Sequence, residues 1–239
     1  MKVDIIFTAD DIKREKIEGR NIVVIDVLRA TSVMVTAMAR GVEEIHVFKD
    51  VEEVFEAGRG RVDAILCGER RGLKVEGFHY GNSPLEYGEE IEGKRMYMTT
   101  SNGTKALVGS NSGRRVFTGS FLNLDAVVKR VLEEDEDLVV VCAGTDGEFS
   151  LDDALCAGMI AEGIAQKKRE AEFTDSALAM RDIALGCREP KDRLAGSRHY
   201  SYLESIDFHE DLDYCLSLNL YDIVPEYREG VVRAGRLQD

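Results

Sequence analysis

Asp26, Arg29, Thr31 and Ser32 follow directly on the apolar run at residues 22–25. A β-branched run of this kind predicts a buried strand, and the apolar spacing of Val33, Met34, Ala37 and Met38 predicts a helix behind it. The strand would deliver a carboxylate, a guanidinium and two hydroxyls to one helix N-terminus. That set suits a metal-bridged anion such as a phosphate ester. The competing reading pairs Asp26 with Arg29 and uses Thr31 or Ser32 as a helix cap.

Four further segments carry similar chemistry. Residues 65–67 read as a strand that runs into Gly68, Glu69 and Arg70. Glu69 is a candidate metal ligand and Arg70 a candidate bidentate clamp for phosphate or carboxylate. The loop at residues 77–84 brings Asn82 and Ser83 before Pro84, a donor-rich turn or an ordinary helix start. Ser101, Asn102, Gly103, Thr104 and Lys105 follow a strand at residues 95–98 and open a helix, where free N–H groups and the helix dipole favour an anion. The glycine-rich residues 142–147 lead to Asp152 and Asp153 at the start of another helix. These two are caps, or one of them faces a metal. The available ligands are oxygens, which favours Mg²⁺ over zinc.

Several reaction classes are missing their signatures. There is no Cys-x5-Arg loop, no GxSxG elbow and no Arg-His-Gly, because Arg198-His199 is followed by Tyr200. Leu28 stands where a second aspartate would follow Asp26, and the Ser101–Lys105 segment lacks the GxxxxGK[ST] spacing. What remains is an oxygen-ligated metal with arginines and an anion loop, which suits phosphoryl hydrolysis or transfer.

Composition bounds the rest. The net charge of −14 disfavours a nucleic-acid partner. No apolar run approaches a membrane span, and no signal segment is evident. Five cysteines without CxxC spacing argue against disulfides and zinc, so a cytoplasmic location is expected.

Strand-like runs at residues 2–7, 22–27, 44–48, 63–67, 95–99, 115–118 and 138–142 alternate with helix-like segments at 32–40, 51–57, 103–109, 122–134 and 151–168. This is the pattern of a three-layer α/β/α protein with a largely parallel or mixed sheet, and its ligand crevice lies at the strand C-termini. A further helix is expected at residues 174–185. Residues 188–202 read as polar and less regular, and residues 212–224 as two or three short apolar elements. Residues 1–239 are expected to form one domain, the C-terminal third completing the same body.

Taken in order, Asp26 to Ser32, Gly68-Glu69-Arg70, Gly77-Phe78 with Gly81-Asn82-Ser83-Pro84, Thr99 to Thr104, Cys142-Ala143-Gly144 and Asp152-Asp153 resemble the 2-phosphosulfolactate phosphatase (ComB) family. The resemblance implies a Mg²⁺-dependent phosphohydrolase that converts 2-phospho-3-sulfolactate, or a related 2-phospho-hydroxy acid, to sulfolactate and phosphate, a step toward coenzyme M. Asp26, Glu69 and Asp153 are then the expected Mg²⁺ ligands. Arg29, Arg70 and the Ser101–Thr104 loop would hold the phosphate, with Thr31 and Ser32 beside them. Asn82, Ser83 and Lys105 would receive the rest of this small anionic substrate. Direct attack by water is expected, with an aspartyl-phosphate through Asp26 as the alternative. A homo-oligomer, a dimer, is the expected assembly. A phosphotransferase or isomerase of a small phosphorylated acid, and a non-catalytic anion-binding module, stay open as rivals.

Overall fold

The strand at Asn21–Ile25 is buried along its whole length and alternates between two cores. Val23 and Ile25 join one, Ile22 and Val24 the other. That is the behaviour of a central strand covered on both faces. A computed structural model describes residues 1–235. The last four residues of the expected 1–239 body lie outside the described residues.

Among the described residues, eleven strands form one mixed sheet. In chain order they are β1 (Lys2–Ile6), β2 (Asn21–Ile25), β3 (Glu44–Val47), β4 (Ala64–Arg70), β5 (Leu73–Lys74), β6 (Arg95–Thr99), β7 (Arg115–Gly119), β8 (Leu138–Cys142), β9 (Glu172–Phe173), β10 (Glu226–Arg228) and β11 (Val231–Arg233). Their spatial order is β5-β4-β6-β3-β11-β10-β7-β2-β8-β1-β9. Two parallel blocks, β4-β6-β3 and β7-β2-β8-β1-β9, are joined by the antiparallel hairpin β10–β11. The C-terminal residues thus sit inside the sheet. Strands of three residues are too short to show a period in the sequence.

Helices cover both faces, as expected for three layers. Leu124–Glu134, Leu151–Lys167 and Asp175–Ala184 pack on the core that holds Val23 and Ile25. On the other face, the helix Ala30–Ala39 is buried all round apart from Ala39. Its side chains share one core with β2, β3, β4 and β6. A helix buried on every side needs cover on every side, and besides the sheet it is covered by the short helical turns Pro84–Glu86 and Phe121–Asn123 and the helix Gly103–Gly109. Residues 188–202 are more regular than expected: they contain the short helices Pro190–Leu194 and Arg198–Ser205. Residues 212–224 begin within the helix His209–Cys215 and then run irregularly toward β10. No described helix is long and apolar enough to cross a membrane.

Candidate active site

A cavity of about 560 Å³ opens where β2, β4, β6 and β8 end. Each strand contributes. Asp26 and Arg29 come from β2, Glu69 and Arg71 from β4, Ser101 and Asn102 from β6, and Thr145 and Asp146 from β8. Asn82 adds an amide, and the helix Arg198–Ser205 adds Arg198, His199, Tyr202 and Leu203. A crevice at parallel strand C-termini is the general ligand site of α/β sheets. A second hollow, at the N-terminal end of β7, holds Arg114 and Arg115, both ion-paired to glutamates.

The β2 turn is held by its own hydroxyls. Thr31 Oγ1 accepts from the Asp26 N–H at 3.0 Å and donates to the Asp26 carbonyl at 2.9 Å. Ser32 Oγ donates to the Val27 carbonyl at 2.8 Å. Both hydroxyls shape the turn, and neither lines the cavity. Asp26 does line it. Its Oδ1 accepts from the Ala30 N–H at 3.3 Å. Gly103 packs so close that a Cβ there would stand 2.6 Å from Asp26 Oδ2, so only glycine lets the helix Gly103–Gly109 approach. Burial pushes the Asp26 carboxyl up to about 7, assisted by the Asp152 and Glu69 charges and opposed by His199 and the Ala30 N–H.

Arg29 is fully buried in a built socket. It ion-pairs with Asp211, donates to the Gly72 carbonyl at 2.7 Å and stacks 3.9 Å from the Phe208 ring centroid. Asp211 also accepts from Ser83 Oγ at 2.6 Å. Ser83 therefore steadies the Arg29 pair and caps the turn at Leu85 rather than facing the cavity. Asp211 and Phe208 come from a segment with no motif of its own.

Glu69 ties two strand ends together. Its oxygens accept from the Ser101 N–H and the Gly72 N–H, each at 2.7 Å. Arg70 turns away from the cavity onto the carbonyls of Glu69 and Lys49 and onto Thr99 Oγ1. Arg71, with a left-handed φ of 53°, lines the cavity instead. Thr100 and Thr104 satisfy each other across the helix start, with Thr104 N–H to Thr100 Oγ1 at 3.1 Å and Thr100 N–H to Thr104 Oγ1 at 3.2 Å. Lys105 lies at the surface, ion-paired to Asp10. Of the 101–105 segment, Ser101 and Asn102 reach the cavity.

The two aspartates after β8 divide. Asp153 accepts from the Val27 N–H at 2.8 Å and the Gly144 N–H at 3.0 Å. It is buried against β2 and, unlike Asp26 and Glu69, this carboxylate expected as a third metal ligand does not line the cavity. Burial, with the Asp152 and Asp26 charges, holds it well above the usual carboxylate range. Asp152 turns toward His199, its Oδ2 3.5 Å from Nδ1. At that distance the contact is an ion pair, and Oδ2 has no hydrogen-bond partner.

A hydroxyl relay fixes the His199 ring. Thr145 Oγ1 donates to Ser150 Oγ at 3.1 Å, and Ser150 Oγ donates to Asp152 Oδ1. The Thr145 hydrogen is therefore committed, and His199 Nδ1–H must donate to Thr145 Oγ1 at 3.2 Å. That leaves Nε2 for proton transfer. Burial works against the charged ring, but the Asp152 contact and charge, followed by Asp26, hold its pKa above the ordinary 6.5. Asp152 is pressed upward by burial and pulled further down by His199 and Ser150, so it sits below the usual range.

Arg198 and His199 carried no positive signal in the sequence beyond a failed Arg-His-Gly match. The usable cue is their spacing: Arg198 with Tyr202, and His199 with Leu203, make an i, i+4 stripe on one helical face.

Oxygen donors for a hard cation are present. Asp26 and Glu69 line the cavity, and the Asn82 Oδ1 beside them is buried without a hydrogen-bond partner. Among the described residues no three acidic, His or Cys side chains form a ready metal cage. Mg²⁺ commonly takes one or two carboxylates plus substrate phosphate and water rather than a full protein cage, so these residues fit it.

The profile of the 2-phosphosulpholactate phosphatase family matches residues 6–230. A protein of Clostridium acetobutylicum named probable 2-phosphosulfolactate phosphatase is 41% identical over 237 residues, covering 97% of this chain and 100% of the relative. Proteins of the same name from Clostridium novyi and Clostridium beijerinckii are 41% and 40% identical, each covering at least 95% of this chain and 97% of the relative. This chain belongs to the 2-phosphosulpholactate phosphatase family, a family of phosphoric monoester hydrolases.

Proposed function

We propose that this protein hydrolyses 2-phospho-3-sulfolactate to sulfolactate and phosphate in this cavity, with Mg²⁺ as cofactor. The observation that carries the reading is the meeting of Asp26, Glu69, Arg29 and the Asp152–His199 pair at one buried place in a member of this family. Asp26 and Glu69, with Asn82 Oδ1, would hold the cation. Mg²⁺ bound there would supply charge neutralisation at the phosphoryl oxygens. Arg29 is locked by Asp211, Gly72 and Phe208 and needs no reorganisation to face developing charge. In hydrolysis a water oxygen bonds to phosphorus and its proton passes to a phosphoryl oxygen of the product phosphate, while the bond from phosphorus to the C2 oxygen breaks. The departing alkoxide needs a proton, and His199 Nε2 is the group held to give it. The same proposal places the protein in the cytoplasm, which its five free cysteines support.

Phosphate release tests the proposal. Turnover of 2-phospho-3-sulfolactate without any added acceptor is expected. It should be lost on chelation and restored by Mg²⁺. No turnover, or turnover indifferent to chelation, contradicts it, and phosphate leaving only when an acceptor is added would point to a phosphotransferase.

A further inference from the structure

Resting on that reading, we infer that Arg71 and Arg198 form the subsite for the sulfonate of the substrate and set the preference for sulfonated over plain 2-phospho-hydroxy acids. The substrate carries three anionic groups on a three-carbon chain, so a site that holds only its phosphate leaves a sulfonate and a carboxylate unmatched. The cavity is graded to receive them. Its acidic and metal-binding end is buried, with Asp26 7% and Glu69 6% exposed. Its exposed lining, which forms the mouth, includes Arg71, Arg198 and Tyr202, with Asp146 as the acid among them.

The positive charges differ in what they have left to give. Arg29 is buried at the phosphate end, tied to Asp211 and the Gly72 carbonyl. Arg71 has no ion-pair or hydrogen-bond partner for its guanidinium among the described residues. Arg198 is paired with Glu148, whose side chain is 71% exposed, and donates to the Thr145 carbonyl at 2.7 Å. An exposed ion pair is worth little, so exchanging Glu148 for a sulfonate costs little. The two arginines are also held in relation to each other. Tyr202, one turn after Arg198, donates its hydroxyl to the Arg71 carbonyl at 2.8 Å. The helix Arg198–Ser205 and the turn after β4 are thereby tied across the mouth. Guanidinium forks match oxyanions bidentately, which a lysine does not reproduce.

The test compares 2-phospho-3-sulfolactate with 2-phospholactate in the full-length wild type, in Arg71→Gln and in Arg71→Gln/Arg198→Gln. The wild type should favour the sulfonated ester in kcat/KM, and the double variant should lose roughly 10- to 100-fold of that ratio, the scale of a charge-assisted contact. A wild type that does not discriminate, or a ratio kept in the double variant, overturns the inference. Arg71 is exposed, so the single variant gives a reading if the double variant folds poorly, and a ratio unchanged there would count equally against it. If neither ester is turned over, the functional reading fails on its own and binding decides the subsite. Sulfolactate should then raise the melting temperature of the wild type more than lactate does, and Arg71→Gln should shrink that difference. No difference between the two ligands, or one that survives the substitution, would overturn it.

Discussion

Asp26→Asn is expected to lower kcat by about 10³-fold or more and at the same time to make the metal-free protein more stable at pH 8. The activity loss follows from removing the charged ligand at the buried end of the cavity, where fixed charge acts with little screening. The stability gain follows from the carboxyl itself. Its pKa is raised from 3.8 to about 7 in the folded state, chiefly by burial. The folded protein therefore binds this proton more tightly than the unfolded chain does. Below pH 3.8 the group is neutral in both states and costs nothing. As pH rises toward 7 the cost of ionising it in the fold grows, and above 7 the cost is complete. A shift of this size sets an upper bound of roughly 4 kcal/mol, part of which belongs to neighbouring Asp152 and Glu69. Asparagine can still accept from the Ala30 N–H. A gain of about 1–2 kcal/mol would raise Tm by roughly 3–8 °C in a chain of this size. Thermal unfolding with chelator at pH 4 and pH 8 checks it. Equal Tm values at pH 4 and a higher variant Tm at pH 8 are expected. A variant less stable at pH 8, or one with near wild-type turnover, would contradict the role given to Asp26.

His199→Gln is the second large effect. Loss of a general acid costs roughly 10²- to 10⁴-fold in kcat for a poor alkoxide leaving group. An aryl phosphate, whose leaving group needs no proton, should lose far less, and a purely structural role for His199 would not separate the two esters. The pH profile gives a second readout. Because the His199 pKa is raised above 6.5, wild-type kcat should fall on the basic side as the ring deprotonates, and the variant should lose that limb. Asp152→Asn should move the limb to lower pH. Stability follows the same ring. A raised histidine pKa contributes stability that is fully present below 6.5 and is lost as pH rises through the folded value. The Tm deficit of His199→Gln should thus be larger at pH 6 than at pH 9. Equal losses on both esters would contradict proton donation by His199.

The parallel strands, the loops at their ends and the helix after each were legible because burial on both faces makes unbroken apolar runs and each run stops at polar or glycine residues. Asp26, Glu69, Asn82, Ser101 and Asn102 could be placed at one crevice for that reason. The neighbouring choices could not be made. Arg70 and Arg71 are adjacent, and a left-handed turn decides which of them faces the ligand. Asp152 and Asp153 begin one helix about 100° apart, and only the packing of that helix on β2 sends one to His199 and the other to backbone. Thr31, Ser32, Thr100 and Thr104 have the composition of an anion loop, but their hydroxyls serve the turns that carry them. Arg198, His199, Phe208 and Asp211 reach the site from beyond the last recognisable motif, through the tertiary return of the C-terminal third.

The most direct test is a crystal structure of Asp26→Asn with intact 2-phospho-3-sulfolactate bound. The phosphate should lie at the buried end beside Glu69, Arg29 and His199, with the sulfonate toward Arg71 and Arg198. The ester bound outside this cavity, or with its phosphate at the mouth, would contradict the account.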